Sequence, residues 1–224
     1  MRTKLLLFVM LQAVAAAAAF PARAEAERDR DWQGTIGVRA ALIKDRGFDP
    51  FSERDAFTQL SVGASRVMLR QGPLAVAAGA ALDIGSSEAP VRSAQAHLDL
   101  DRLSAVLELR YHVITRCYAF GRVAPGALRG KAEFHDPAPV VPLQTRFTAL
   151  SVDASAGVAG RLTDARTEFG VWLVAEGGYG WTPSHALSLG PGFAAADSSK
   201  AGTLEIQGLA ARGVFGRASV AFTY

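Results

Sequence analysis

The 224-residue chain has one cysteine, Cys117, so it can form no internal disulfide, and the stapling common in small exported domains is excluded. Long apolar runs are missing past residue 24. No stretch approaches the roughly 18 apolar residues of a membrane-spanning helix. The longest uncharged stretch, residues 177–196, is broken by Pro183, His185, Pro191 and several glycines and reads as a loop. Only four histidines are present, scattered and without a carboxylate at ligand spacing, so neither a metal nor a cofactor is expected. Gly177, Gly178 and Gly180 are not followed by a helix start, which speaks against a phosphate loop and for close strand approach or a bulge. Excess charge is also lacking: the formal +3 is carried by Arg2, Lys4 and Arg23, and the remainder is neutral, without the basic footprint that nucleic acid requires. Half of the residues are apolar, which excludes a disordered chain.

What is present begins with a leader. Arg2 and Lys4 precede an apolar stretch from Leu5 to Phe20, and Ala22-Arg23-Ala24 has the form of an A-x-A cleavage site, so residues 1–24 are expected to be a signal peptide and residues 25–224 the mature domain. A retained N-terminal anchor is the alternative, weakened by the shortness of the run and by Pro21.

The mature chain alternates with period two in segments of about ten residues, the spacing that sorts residues onto the two faces of a strand. The apolar sets are Ile36, Val38, Ala40 and Leu42; Leu60, Val62 and Ala64; Leu74 through Ile84; Leu103 through Val113; Leu150 through Val158; Phe169, Val171, Leu173 and Ala175; and Val214 through Tyr224. Another segment starts at Cys117 with an open phase. Placing Cys117, Ala119, Gly121 and Val123 on the apolar face is preferred, because it puts Arg122 on the polar one. The stretch from His97 is expected to extend the fourth segment through a bulge near Asp101. Eight strands result.

The connections alternate in kind. Long polar or Gly/Pro-rich segments (residues 44–56, 85–95, 132–145 and 181–202) follow the odd strands. Short links near Gln71-Gly72, residues 114–116 and residues 162–165 follow the even ones. In a meander this puts tight turns on one rim and long loops on the other, as in a bacterial outer-membrane barrel. A soluble barrel or sandwich would turn its apolar face inward. The polar faces consist of Gly, Ala and Ser with isolated charges (Arg39, Asp83, Glu108, Arg110, Asp153, Glu168, Glu176, Arg217) and almost no Lys. They suit a narrow filled lumen better than a solvated surface. Arg66 falls in the apolar phase near the short-turn rim, where it could snorkel or follow a bulge.

With its final strand of Val220, Phe222 and terminal Tyr224, the chain resembles the small outer-membrane β-barrel family, eight-stranded and of the OmpA/OmpX kind. The resemblance implies an all-β, antiparallel, up-and-down transmembrane barrel in a Gram-negative outer membrane. Its partners would be outer-membrane lipids and, through the C-terminal strand, the barrel-assembly machinery. It implies no activity, and a monomer is expected.

No catalytic set is assigned. His97 with Asp99, His112, His135 with Asp136, and Ser184 with His185 are the groups considered, and none forms a triad-like pattern. Trp32, Tyr111, Tyr118, Phe169, Phe222 and Tyr224 are expected at headgroup level. Phe48 and Phe51, among the charges of the first long loop, form either a recognition surface or part of a solvated loop. The leading expectation is a structural or adhesive barrel acting through its long loops and not a wide pore. A lipid-modifying enzyme and a soluble exported barrel binding an apolar ligand are the alternatives.

Overall fold

A computed structural model describes residues 32–52, 54–91, 94–135, 143–164, 169–191 and 204–224. The expected leader, Asp136 and Glu168 lie outside them. The strands are β1 (Trp32–Ile43), β2 (Ala56–Gln71), β3 (Leu74–Val91), β4 (Ala94–Ile114), β5 (Cys117–His135), β6 (Leu143–Arg161), β7 (Gly170–Trp181), β8 (His185–Pro191), β9 (Leu204–Leu209) and β10 (Gly213–Thr223). Eight of them close a ring in the order β5-β4-β3-β2-β1-β10-β7-β6, sealed by β5 against β6 and antiparallel throughout. The last strand pairs with the first from Gln33↔Thr223 to Ile43↔Gly213, so these two strands leave no open edge in hydrocarbon. The short-turn end is made by Gly72, whose φ of +58° suits a residue without Cβ, and by the two-residue link of Thr115 and Arg116.

The apolar faces point outward. Ile36, Val38, Leu60, Val62, Leu82, Leu103, Leu107, Leu109, Val158, Leu173 and Val214 are all exposed, while Arg39, Gln59, Asp83, Glu108, Arg110, Asp153 and Glu176 are buried in the interior. This is the phase expected from the sequence, and in β5 it is the preferred one: Tyr118 and Phe120 are inside and Val123 outside. Tyr118 is thus a lumen residue and not part of a headgroup belt. Trp32, Phe169 and Tyr224 do stand exposed, and Phe169 stacks on Phe222 with centroids 5.7 Å apart. Arg66 points outward over the Trp32 ring at 5.7 Å, and the bulge follows it, between Val67 and Leu69.

Strands β3, β5 and β6 are far longer than expected, and β4 exceeds the expected course from His97 by a few residues. β4 has 21 residues, which at about 3.3 Å per residue and a tilt near 40° reaches roughly 50 Å, about twice the ~25 Å apolar band of a membrane barrel. Along β3 to β6 the outward rows read Leu82-Leu103-Ala127-Leu150, then Ile84-Asp101-Arg129-Thr148, then Ser86-Asp99-Lys131-Arg146. The inward rows run the other way: Asp83 and Arg102 lie beside Leu128 and Ala149, and the next row is Gly85, Leu100, Gly130 and Phe147. Both faces exchange polarity at the same height. Below it the barrel is apolar outside and charged inside. Above it the wall is polar outside and apolar inside, as in a water-soluble protein.

This inversion corrects several expectations. No bulge occurs at Asp101, since pairing with β3 runs unbroken from Ala94 to Tyr111 and with β5 from Gln95 to Ser104, and the register shift lies between His112 and Ile114. Residues 85–95 are mostly strand, with only Arg92 and Ser93 between β3 and β4, and residues 132–145 carry the end of β5 and the start of β6. The stretch 177–196 is not simply a loop. It finishes β7 and supplies β8, which pairs with β9 as a hairpin and continues the wall beside β6 at Leu143↔Pro191. Phe48 and Phe51 are neither solvated nor a recognition surface. A 3-10 turn (Asp49–Phe51) carries both rings, fully buried, into the barrel mouth.

Candidate functional site

The lumen is filled in layers. At the short-turn end Tyr118, Phe120, Ala159, Trp172, Val174 and Ala221 cluster together, with Tyr118 and Trp172 centroids 5.2 Å apart and Trp172 Nε1 donating to Thr223 Oγ1 at 3.2 Å.

Above them lies a connected charge network. Arg110 Nε donates to Glu108 at 2.7 Å and its Nη2 to Gln33, Arg122 reaches Glu108 at 2.5 Å and Glu176 at 2.6 Å, and Ser155 Oγ donates to Glu176 at 2.6 Å. Arg217 links Glu176 at 3.3 Å to both oxygens of Asp83 at 3.1 Å. Arg39 donates to Gln59 at 2.5 Å and, with Arg102, shares Asp153. Arginines also lie over the lumen rings, Arg39 over Phe215 at 4.3 Å and Arg122 over Phe120 at 5.1 Å. Each charge is held by partners on other strands, which is what keeps ions inside a low-dielectric interior tolerable. Gly180 permits this crowding, for a Cβ there would lie 2.7 Å from Asp153 Oδ1. Gly180 and Gly178 therefore mark close approach and not a bulge.

The third layer is apolar: Ala41, Ile43, Phe48, Phe51, Phe57, Leu98, Leu100, Leu128, Phe147 and Leu187 form one core at the extended end. Phe48 meets Phe57 edge-on at 6.0 Å, Phe51 lies 5.4 Å from Phe134, and Ser87 Oγ donates to the Phe51 carbonyl at 2.6 Å. Sequence reasoning found most of the network's charges but missed Arg102 and this core, whose only signal is the apolar set Ala96, Leu98, Leu100 in the opposite phase to Leu103.

The groups weighed as catalytic are dispersed. His97 stands on the outer wall with Nδ1 2.9 Å from Glu88 and Nε2 2.9 Å from Asp99. His112 is in the lumen, its ring 5.3 Å from Tyr118, and His185 stacks on Phe147 at 5.5 Å beside an exposed Ser184. His135 ends β5. Nearby, the hydrogen bond from Lys131 at 2.7 Å holds Glu133 below the usual carboxylate range. Among the described residues no three His, Cys, Asp or Glu side chains are grouped to hold a metal.

A closed antiparallel ring of eight strands, apolar outside and ion-paired within, is now complete. The architecture is that of the small eight-stranded outer-membrane barrels. Solved structures with a similar course include Ail, the attachment invasion locus protein of Yersinia pestis, in complex with the heparin analogue sucrose octasulfate (13% identity, 88% of this chain and 99% of that chain, TM-score 0.46). Another is the N-terminal β-barrel domain of Pseudomonas aeruginosa OprF (10% identity, 88% and 100%, TM-score 0.36). No protein-family model and no curated protein matches the chain. The likeness transfers no residue role. Chemically, the layered lumen is suited to closing the barrel, and the extended wall carries its polar groups beyond the apolar band.

Proposed function

We propose that the protein is a closed, non-enzymatic, monomeric barrel of a Gram-negative outer membrane. In this reading it is exported by its leader and inserted by the barrel-assembly machinery through the strand ending in Val220, Phe222 and Tyr224. Its role is structural or adhesive, exercised by the extended end facing outward from the cell. The observation that carries this is the simultaneous exchange of polarity on both faces near Asp101 and Arg102: a wall apolar outside below that height and polar outside above it fits a bilayer on one side of the boundary and water on the other.

Lysine distribution supplies the test. Past the leader the lysines are Lys44, Lys131 and Lys200, and the first two stand at the extended end. A membrane-impermeant amine reagent applied to intact cells should label Lys44 and Lys131 in protein recovered from the outer-membrane fraction. Labelling only after lysis would reverse the orientation. Recovery in a soluble fraction would end the membrane reading.

A further inference from the structure

The outer wall of β3 to β6 changes character within one row. Leu82, Leu103, Ala127 and Leu150 form a wholly apolar row, and the two rows above it carry Asp101, Arg129, Asp99, Lys131 and Arg146. Two of these five charges are already engaged. His97 holds Asp99 at 2.9 Å, and Glu133 holds Lys131 at 2.7 Å. Among the described residues the guanidiniums of Arg129 and Arg146 have neither a hydrogen-bond nor an ion-pair partner, and the carboxylates near them in register are Asp101, opposite Arg129, and Asp99, in the row of Lys131 and Arg146. In the charged lining of the groove between these strands, the three cations Arg129, Lys131 and Arg146 stand against the two carboxylates Asp99 and Asp101. The register pairs Arg129 with Thr148 and Lys131 with Arg146, which makes the two arginines diagonal neighbours on adjacent strands, about 7 Å apart at the backbone. They border this open groove of about 650 Å³ on the wall, shared with Ser86, Asp99, Asp101, Lys131 and Thr148.

Two forked cations on adjacent strands can hold one phosphate through several charge-assisted bonds. The apolar row directly beneath gives acyl chains a surface to lie against. We infer that Arg129 and Arg146 form a binding site for the phosphate head group of a membrane lipid in the leaflet next to the extended end, with its chains along Leu103, Ala127 and Leu150. Thr148 and Ser86 add hydroxyl donors. This rests on the membrane reading above and adds one named site to the lipid contact that every such barrel makes.

The test is native mass spectrometry of the full chain folded in maltoside micelles with phosphatidic acid, or with diacylglycerol of the same chains. Phosphatidic acid should remain as a one-to-one adduct and diacylglycerol should not. The Arg129→Gln/Arg146→Gln variant should retain about tenfold less, a loss in the range expected for charge-assisted bonds. Arg116→Gln, at the opposite end, should retain as much as the parent chain. Displacement of the adduct by inorganic phosphate would assign the site to the free ion and overturn the lipid source. Equal retention of both lipids, or unchanged retention by the folded double variant, would overturn the site alone. A chain that shows no gel shift between folded and heated forms in any micelle would overturn the membrane reading and this site with it.

Discussion

Asp153 is a single carboxylate between two buried guanidiniums, Arg39 and Arg102, on strands brought together only by barrel closure. Removing it leaves two like charges without their common partner in an interior with little room for water. Asp153→Ala should therefore lose about 3–5 kcal/mol, as expected for breaking a buried pair, measured by denaturant unfolding from lipid vesicles. A loss below about 1 kcal/mol would mean that water fills the lumen and screens the pair. The two faces of β7 give a second test. Leu173 is 54% exposed and Trp172 only 3%. Leu173→Arg puts a charge into lipid and should lose about 2–4 kcal/mol near the midplane. Trp172→Phe gives up the bond to Thr223 and should lose about 1 kcal/mol in the same measurement. Arginine at position 172 is a poor probe, because Arg161 already lies 5.8 Å above that ring. If the phenylalanine variant is the more damaging, the outward assignment of β7 is wrong.

At the scale of the element, the inserted turn between β1 and β2 acts as a stopper. Phe48→Ala or Phe51→Ala should each lose about 3–5 kcal/mol, the range for truncating a fully buried ring, whereas a solvated loop would lose almost nothing in the same titration. This stopper was not legible in the sequence, since Phe48 and Phe51 stand among Asp45, Arg46, Asp49, Arg54 and Asp55, and local composition cannot say that a 3-10 turn aims both rings inward. The membrane-spanning halves were legible because lipid demands an unbroken apolar phase, as in Leu103 through Val113. The upper halves were not. Period two reports alternation but not which face meets a core, so Leu98 and Leu100 in one phase followed by Leu103 and Leu107 in the other imitate a bulge at Asp101. In β3, Ser86, Ser87 and Pro90 read as a turn although they continue the ladder to Val91. The network pairs were beyond reach for another reason: Arg39 and Asp153 meet only after the ring closes.

For the whole molecule, the layers act in series. Eight strands leave an interior only wide enough for side chains, and here that interior is crossed by an aromatic floor, an ion-paired middle and an apolar stopper. An ion entering from the extended end meets Phe48 and Phe51 first, and removing those rings would admit it only as far as Arg39 and Arg102, whose charges are locked onto Asp153 and Gln59. Neither barrier needs the other in order to block passage. Planar-bilayer recordings of the native chain should accordingly show no large stable step. The Phe48→Ala/Phe51→Ala variant should be equally silent once inserted, even though it unfolds more easily. Steps from the native chain would mean that the arginine layer rearranges in the bilayer. Steps from the variant alone would place the entire seal in the stopper and leave the ion-paired middle with a purely structural role.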